Sequence, residues 1–207
     1  MSTDPRDQLQ RAIGGWRGAI ESGAPSIAFL IVYQVSGREL TLALRAAGAV
    51  AILATVARIV RRGSLQFVAS GVLGVAISAW LVARTGQAKD YFVPGLVTNV
   101  LWGAAYLASV LLRYPLIGIL VGSVEGQPLK WVRDPDRRRA AMLATWGFVA
   151  LFALRLAIEV PLYMAGALNA LGAAKLVLGW PPYVLAAWIA YRLMRPFFGS
   201  APSEDLL

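Results

Sequence analysis

Residues 130–158 read KWVRDPDRRRAAMLATWGFVALFALRLAI. The first ten carry five cations; the 19 that follow hold one ionisable side chain, Arg155. A hydrocarbon core of ~30 Å takes about 20 helical residues at ~1.5 Å rise each. The apolar part is therefore long enough to cross a bilayer, and the basic part marks the cytoplasmic side from which it enters. The same pattern recurs along the chain. Leu40–Val60 runs into Arg61 and Arg62, and Phe92–Leu112 runs into Arg113. Leu65–Ala83 is a further full-length span. Pro181–Phe197 is slightly short but carries Trp188 and Tyr191 as interfacial anchors.

Composition agrees with this pattern. The 207 residues are 58% hydrophobic and 15% charged, with a mean hydropathy of +0.61. A water-soluble domain of this length has too little interior for so much apolar side chain, so the surplus must face lipid. The net charge of +9 punctuates the apolar runs instead of forming a stripe, so the basic residues report topology and no nucleic-acid partner is expected. The chain contains no histidine and no cysteine, which excludes the usual zinc sites, thiol chemistry and every histidine-dependent nucleophile. Most of its 11 acidic residues lie in tails and loops. No two carboxylates stand three or four apart within an apolar run. A non-enzymatic protein without cofactor or metal is the expectation.

The fold class expected is an all-α integral membrane protein, a bundle of about six transmembrane helices. An N-terminal amphipathic interfacial helix and a short re-entrant or interfacial segment accompany the bundle. If the clusters at Arg61–Arg62, Arg113 and Lys130–Arg139 are all cytoplasmic, Ala24–Gly37 crosses and Tyr114–Val124 does not. Both termini are then inside, in the plasma (inner) membrane. Should Leu162–Leu178 cross as well, the count becomes seven and the C-terminus lies outside. The first apolar run starts too late for a signal peptide and lacks a cleavage pattern.

Residues 1–22 form the amphipathic segment. Asp4 and Pro5 read as cap and first helical position, and Leu9, Ile13, Trp16 and Ile20 fall on one face. Such a helix can rest on anionic lipid or pack on the protein's own cytoplasmic side. Residues 23–198 make up the membrane domain, with a faint internal echo that divides it into 24–113 and 114–198. Ala88-Lys89 precedes Trp102 by the same distance as Ala174-Lys175 precedes Trp188. Residues 199–207 form a polar tail expected to be disordered.

Polar groups inside spans demand partners or water. Arg155 and Glu159 are four apart, where helical side chains meet. Arg45 and Arg58 lie near the ends of one span and can snorkel. Gln66, Asn99, Asn169 and Lys175 serve either as interhelical hydrogen-bond formers or as the lining of a wet cavity. Asp90, beside Lys89 and two aromatics, reads as a solvated loop edge. Gly118, Gly122 and Gly126 make two overlapping small-xxx-small steps, which suit close helix packing within the chain or a homodimer.

Several stretches carry a resemblance. They are Gly23-Ala24-Pro25 leading to Tyr33, then Thr85–Gly95 (TGQAKDYFVPG), then Arg113–Gly118 (RYPLIG). Later come Thr145-Trp146 with Phe152 and Arg155, Pro161-Leu162-Tyr163, and Lys175 with Gly179-Trp180-Pro181. Together they resemble an actinobacterial membrane family known as domain of unknown function 3159. The order of features is also similar, distantly, to the intracellular septation protein A family of bacterial inner membranes. This chain departs from the latter in the long apolar stretch Leu162–Leu178. The resemblance implies an inner-membrane location and a link to envelope maintenance or division, and neither family carries over a catalytic residue.

Two functions lead, ahead of a third, an enzyme acting on a lipid whose phosphate Arg45, Arg58 or Arg155 would hold but for which no base can be named. One is a non-enzymatic envelope protein, a scaffold or septation-related factor that meets other membrane proteins in the plane of the bilayer. The other is a small transporter or channel whose polar intramembrane residues line a solute path. The first expects Asn99 and Asn169 to be packed in protein; the second expects water beside them.

Overall fold

A bilayer offers a backbone amide no partner but its own helix, and the described residues are helical almost throughout. The computed structural model describes residues 15–60, 65–124, 129, 132 and 134–197. Side chains are described within these from residue 24 onward, except at 58, 59, 65–72 and 180. The elements are α1 (Gly15–Val35), α2 (Leu40–Val60), α3 (Leu65–Thr85), a 3₁₀ turn (Ala88–Phe92) and α4 (Val93–Leu111). After these come α5 (Leu116–Val124), α6 (Pro135–Met164), α7 (Leu168–Val177), α8 (Trp180–Met194) and a last 3₁₀ turn (Arg195–Phe197). The described residues contain no strand.

Four helical runs are long and apolar enough to cross a membrane: Leu40–Ala57, Ala88–Leu111, Pro135–Met164 and Leu168–Phe197. Ala24–Val35 and Leu73–Thr85 are shorter apolar helices. The architecture is that of a helical membrane protein. Leu53, Leu101, Leu154 and Leu185, all within apolar helices, are each more than half exposed, an arrangement that a lipid surround makes inexpensive.

Local signals explain the helix ends. The Asp134 carboxylate accepts from the amides of Asp136 (2.9 Å) and Arg137 (3.1 Å), a cap with Pro135 at the first helical position. Three helices finish in a residue with left-handed backbone followed by a six-to-one hydrogen bond. α1 turns at Gly37 (φ 70°), with the Arg38 amide on the Tyr33 carbonyl. α4 turns at Arg113 (φ 61°), with the Tyr114 amide on Ser109, and α6 at Gly166 (φ 66°), with Ala167 on Leu162. The Gly166 turn divides the stretch 162–178, which therefore is not one helix. Its first residues complete α6 and the rest is the ten-residue α7.

α1 passes through Gly23 and Pro25 without a break, so Gly15–Ser22 is continuous with the apolar helix that follows. The rest of the expected amphipathic segment, with Leu9 and Ile13, lies outside the described residues, as do the tail 199–207 and Gly126.

The chain divides into two compact units. One holds the described residues up to Leu96 together with Glu159–Leu176. Its core gathers Phe29, Ala43, Ala47, Val82, Tyr91, Phe92 and Leu171. Ala43, Ala47 and Ala51 repeat every four residues along α2 and are buried, which lets α1 approach closely. Gly172 does the same for Leu30, whose side chain occupies the space a Cβ would need. The other unit holds Val97–Ile158 and the described residues from Val177 onward. Its core gathers Tyr106, Ile117, Ala141, Ala144, Phe152, Ala190 and Met194.

Candidate functional site

In the first unit the polar chemistry converges on the 3₁₀ turn. α3 ends at Gly86 (φ 69°), whose amide bonds the Val82 carbonyl at 2.8 Å. The Gln87 amide then donates to Thr85 Oγ1 at 3.2 Å. This tight exit turns Asp90 inward, where it is 5% exposed, and the Tyr163 hydroxyl donates to its Oδ1 at 2.7 Å. Asp90 is thus a buried, bonded carboxylate and not the solvated loop edge its neighbours suggest. A buried carboxylate without such a donor would carry a heavy desolvation cost. Tyr91 stacks on Phe29 at 4.2 Å between ring centroids and anchors the turn to α1.

Lys89 packs on the same tyrosine, its Nζ 5.0 Å from the centre of the Tyr163 ring. Beside it opens a cavity of about 600 Å³, whose walls include Tyr33, Gln34, Arg38, Gln87, Lys89 and Asn169. The Gln34 side-chain amide donates to Asn169 Oδ1 and ties α1 to α7. No carboxylate contributes to these walls among the described residues. Deeper in the unit, Lys175 Nζ donates to the Phe92 carbonyl at 3.4 Å and lies 5.0 Å from that ring's centre. Gly95 makes room for it, because a Cβ there would collide with the ammonium group.

In the second unit the polar groups hold helices together. The first amides of a helix have no intrahelical acceptor. α5 solves this with hydroxyls from its neighbours. Leu116 N–H donates to Ser109 Oγ (3.3 Å) and Ile117 N–H to Thr145 Oγ1 (3.3 Å). Both hydroxyls pass their own protons to carbonyls of their own helices, Tyr106 (2.7 Å) and Ala141 (2.7 Å). Gly118 and Gly122 are buried on the same short helix. Arg155 is buried, its guanidinium carbon 5.1 Å from the Tyr183 ring centre. Phe152 meets Tyr183 edge-on and Tyr106 stacks on Phe148.

The residues singled out in the sequence are divided between the two units. Arg155 and Asn99 belong to the second unit, and both are buried. Glu159, Asn169 and Lys175 belong to the first. Glu159 is fully buried. Asn169 is the second residue of α7 and exposed, so it stands at a helix end. Arg45 is exposed on α2. Arg58 and Gln66 lie on helices, but their side chains are outside the described set. The sequence reading does not join Asp90 to Tyr163 or assign Arg38 and Lys89 to a site; the partner that sorts Asp90 from Lys89 is 73 residues away.

Among the described residues, no three carboxylates gather where they could hold a metal ion. No curated protein and no solved structure matches the chain. A family model does match, over residues 13–199. The chain belongs to the family described as Protein of unknown function (DUF3159).

Proposed function

We propose that this is a non-enzymatic protein of the plasma membrane, with six spans and both termini cytoplasmic. It acts by binding in the plane of the bilayer, as a scaffold or maintenance factor of the envelope. The observation that carries this reading is Asn99. It stands midway along the run Ala88–Leu111, the depth at which a solute path has to be wet, yet it is 5% exposed. Ser109, Thr145 and Arg155 in the same unit are buried as well, and the two hydroxyls are spent on helix-to-helix hydrogen bonds. Polar groups used in this way are the adhesive of a membrane bundle. The distant likeness to the intracellular septation protein A family points the binding role toward envelope maintenance or division.

The transporter reading draws on a different observation. α5 has nine residues, about 14 Å of helix, too short to cross and suited to a re-entrant element. Cysteine labelling separates the two, since the chain has no cysteine of its own. Asn99→Cys, Asn169→Cys, Gln87→Cys and Leu129→Cys are exposed singly to a membrane-impermeant maleimide in intact cells and in inverted vesicles. Asn169, exposed at the start of α7, departs from the packed surroundings that the scaffold reading expects of it. Asn169→Cys therefore serves with Gln87→Cys as an accessible position, and the scaffold reading rests on Asn99→Cys resisting from both sides. Reaction of Asn99→Cys at the rate of the loop positions, in protein that still elutes as one folded species, transfers the case to transport.

A further inference from the structure

We propose that the cavity of the first unit is a binding site for a phosphate-bearing anion, either a lipid headgroup or a small phosphate ester. This inference stands apart from the scaffold reading and rests on the proposed topology only for the side of the membrane on which the cavity opens.

The walls supply donors and positive charge. Arg38 offers a guanidinium fork, Lys89 an ammonium, and Gln34, Gln87 and Asn169 add side-chain amides. An anion with several acceptor oxygens is the complement of such a set, and a guanidinium fork matches phosphate geometry directly. The acids close by are kept out of it. Asp90 points inward and takes the Tyr163 hydroxyl, whereas Lys89, the residue before it, is turned to the cavity. Glu39, next to Arg38, is exposed and does not contribute to the walls. The volume of about 600 Å³ accepts a whole glycerophosphate group and not a bare ion alone.

Two further features point the same way. Arg38 holds φ 74° directly after Gly37 at φ 70°, a conformation that costs a side-chain-bearing residue about 1–2 kcal/mol. Strain of that kind motivates a role for the Arg38 side chain, while the like turn at Arg113 (φ 61°) serves to end a helix. The site also lies at the end of α2 opposite to Arg61 and Arg62, the end that loop charge assigns to the outside. Cations retained there work against the topology rule and need a role of their own.

The test uses the full chain in phosphatidylcholine vesicles with Ala170→Cys as reporter, a cavity position, and Ala165→Cys as control, an exposed position nearby that does not line it. Maleimide reaction rates are measured with inorganic phosphate or glycerol 3-phosphate against chloride at matched ionic strength. They are measured again in vesicles containing phosphatidylglycerol. Slowing of Ala170→Cys relative to Ala165→Cys is expected. Slowing by the soluble phosphates assigns a small ester, and slowing in phosphatidylglycerol alone assigns a headgroup. Arg38→Gln and Lys89→Gln should each weaken the protection on the order of tenfold, and Arg38→Lys should restore part of it. The control Arg84→Gln, which removes a cation packed on Trp80 and outside the cavity, should leave protection unchanged. Equal rates at the two cysteines under every anion, or protection that survives Arg38→Gln and Lys89→Gln, overturns the proposal.

Discussion

Asp90 and Lys89 are adjacent in sequence and opposite in fate. One is buried against a tyrosine hydroxyl, the other lines a cavity. The cost of burying Asp90 is offset by the Tyr163 hydrogen bond, so removing the donor should be felt. Tyr163→Phe is expected to lower the stability of the purified protein by about 1–3 kcal/mol, the penalty for stranding a buried acceptor. In an Asp90→Ala background the same change should cost almost nothing. Thermal unfolding of the four proteins of this double-mutant cycle provides the check, and equal losses in both backgrounds would show that the bond carries no stability. This residue-scale pairing was not legible in the sequence. The run Lys89-Asp90-Tyr91-Phe92 has the composition of an interfacial loop, and only the return of the chain at Tyr163 makes the acid an interior residue. The place of Asn169 at a helix end is hidden for a related reason. Its apolar surroundings hide the turn at Gly166, which places it at the start of a helix.

Elements were easier to read, because a hydrocarbon slab imposes length directly. The spans at Leu40–Val60 and Phe92–Leu112 reappear as α2 and as the turn with α4, and the short stretch opened by Tyr114-Pro115 reappears as α5. The packing of these elements was half legible. Gly118 and Gly122 drew notice as small residues and are buried. The alanine stripe at Ala43, Ala47 and Ala51 did not, because alanine is common in any apolar helix. Hidden most completely were the hydroxyls that hold α5 in place. Thr145 is fully buried and receives the Ile117 amide, so Thr145→Val keeps the shape and removes the acceptor. We expect a loss of about 1–3 kcal/mol from the stranded amide, with hydrogen exchange at Leu116–Gly118 accelerated before exchange in α6. Thr145→Ser keeps the oxygen and should retain most of the protection of those amides. If valine leaves exchange in α5 unchanged, the short helix is held by apolar packing alone.

At the scale of the whole molecule, the sidedness of the C-terminus turns on one length. α7 has ten residues, about 15 Å of helix, half of the ~30 Å it would have to cross. Taken with α8 and the last 3₁₀ turn, the run Leu168–Phe197 has 30 residues, about 45 Å if wholly helical, which is ample for one crossing. Two crossings would leave α8, with 15 residues, only about 22 Å for the second. The six-span topology therefore treats α7 and α8 as successive parts of a single span interrupted at Gly179. A discontinuous helix is admissible at membrane depth only where protein or water satisfies the freed backbone groups. Cysteines placed on this logic have definite sides. Gln87→Cys and Ala165→Cys should label in intact cells, whereas Leu112→Cys, Leu129→Cys and Phe197→Cys should label only in inverted vesicles. Phe197→Cys decides the matter, because the seven-span topology moves it alone among the five. Its reaction in intact cells, with the other four unchanged, would make α7 and α8 separate crossings and put the C-terminus outside.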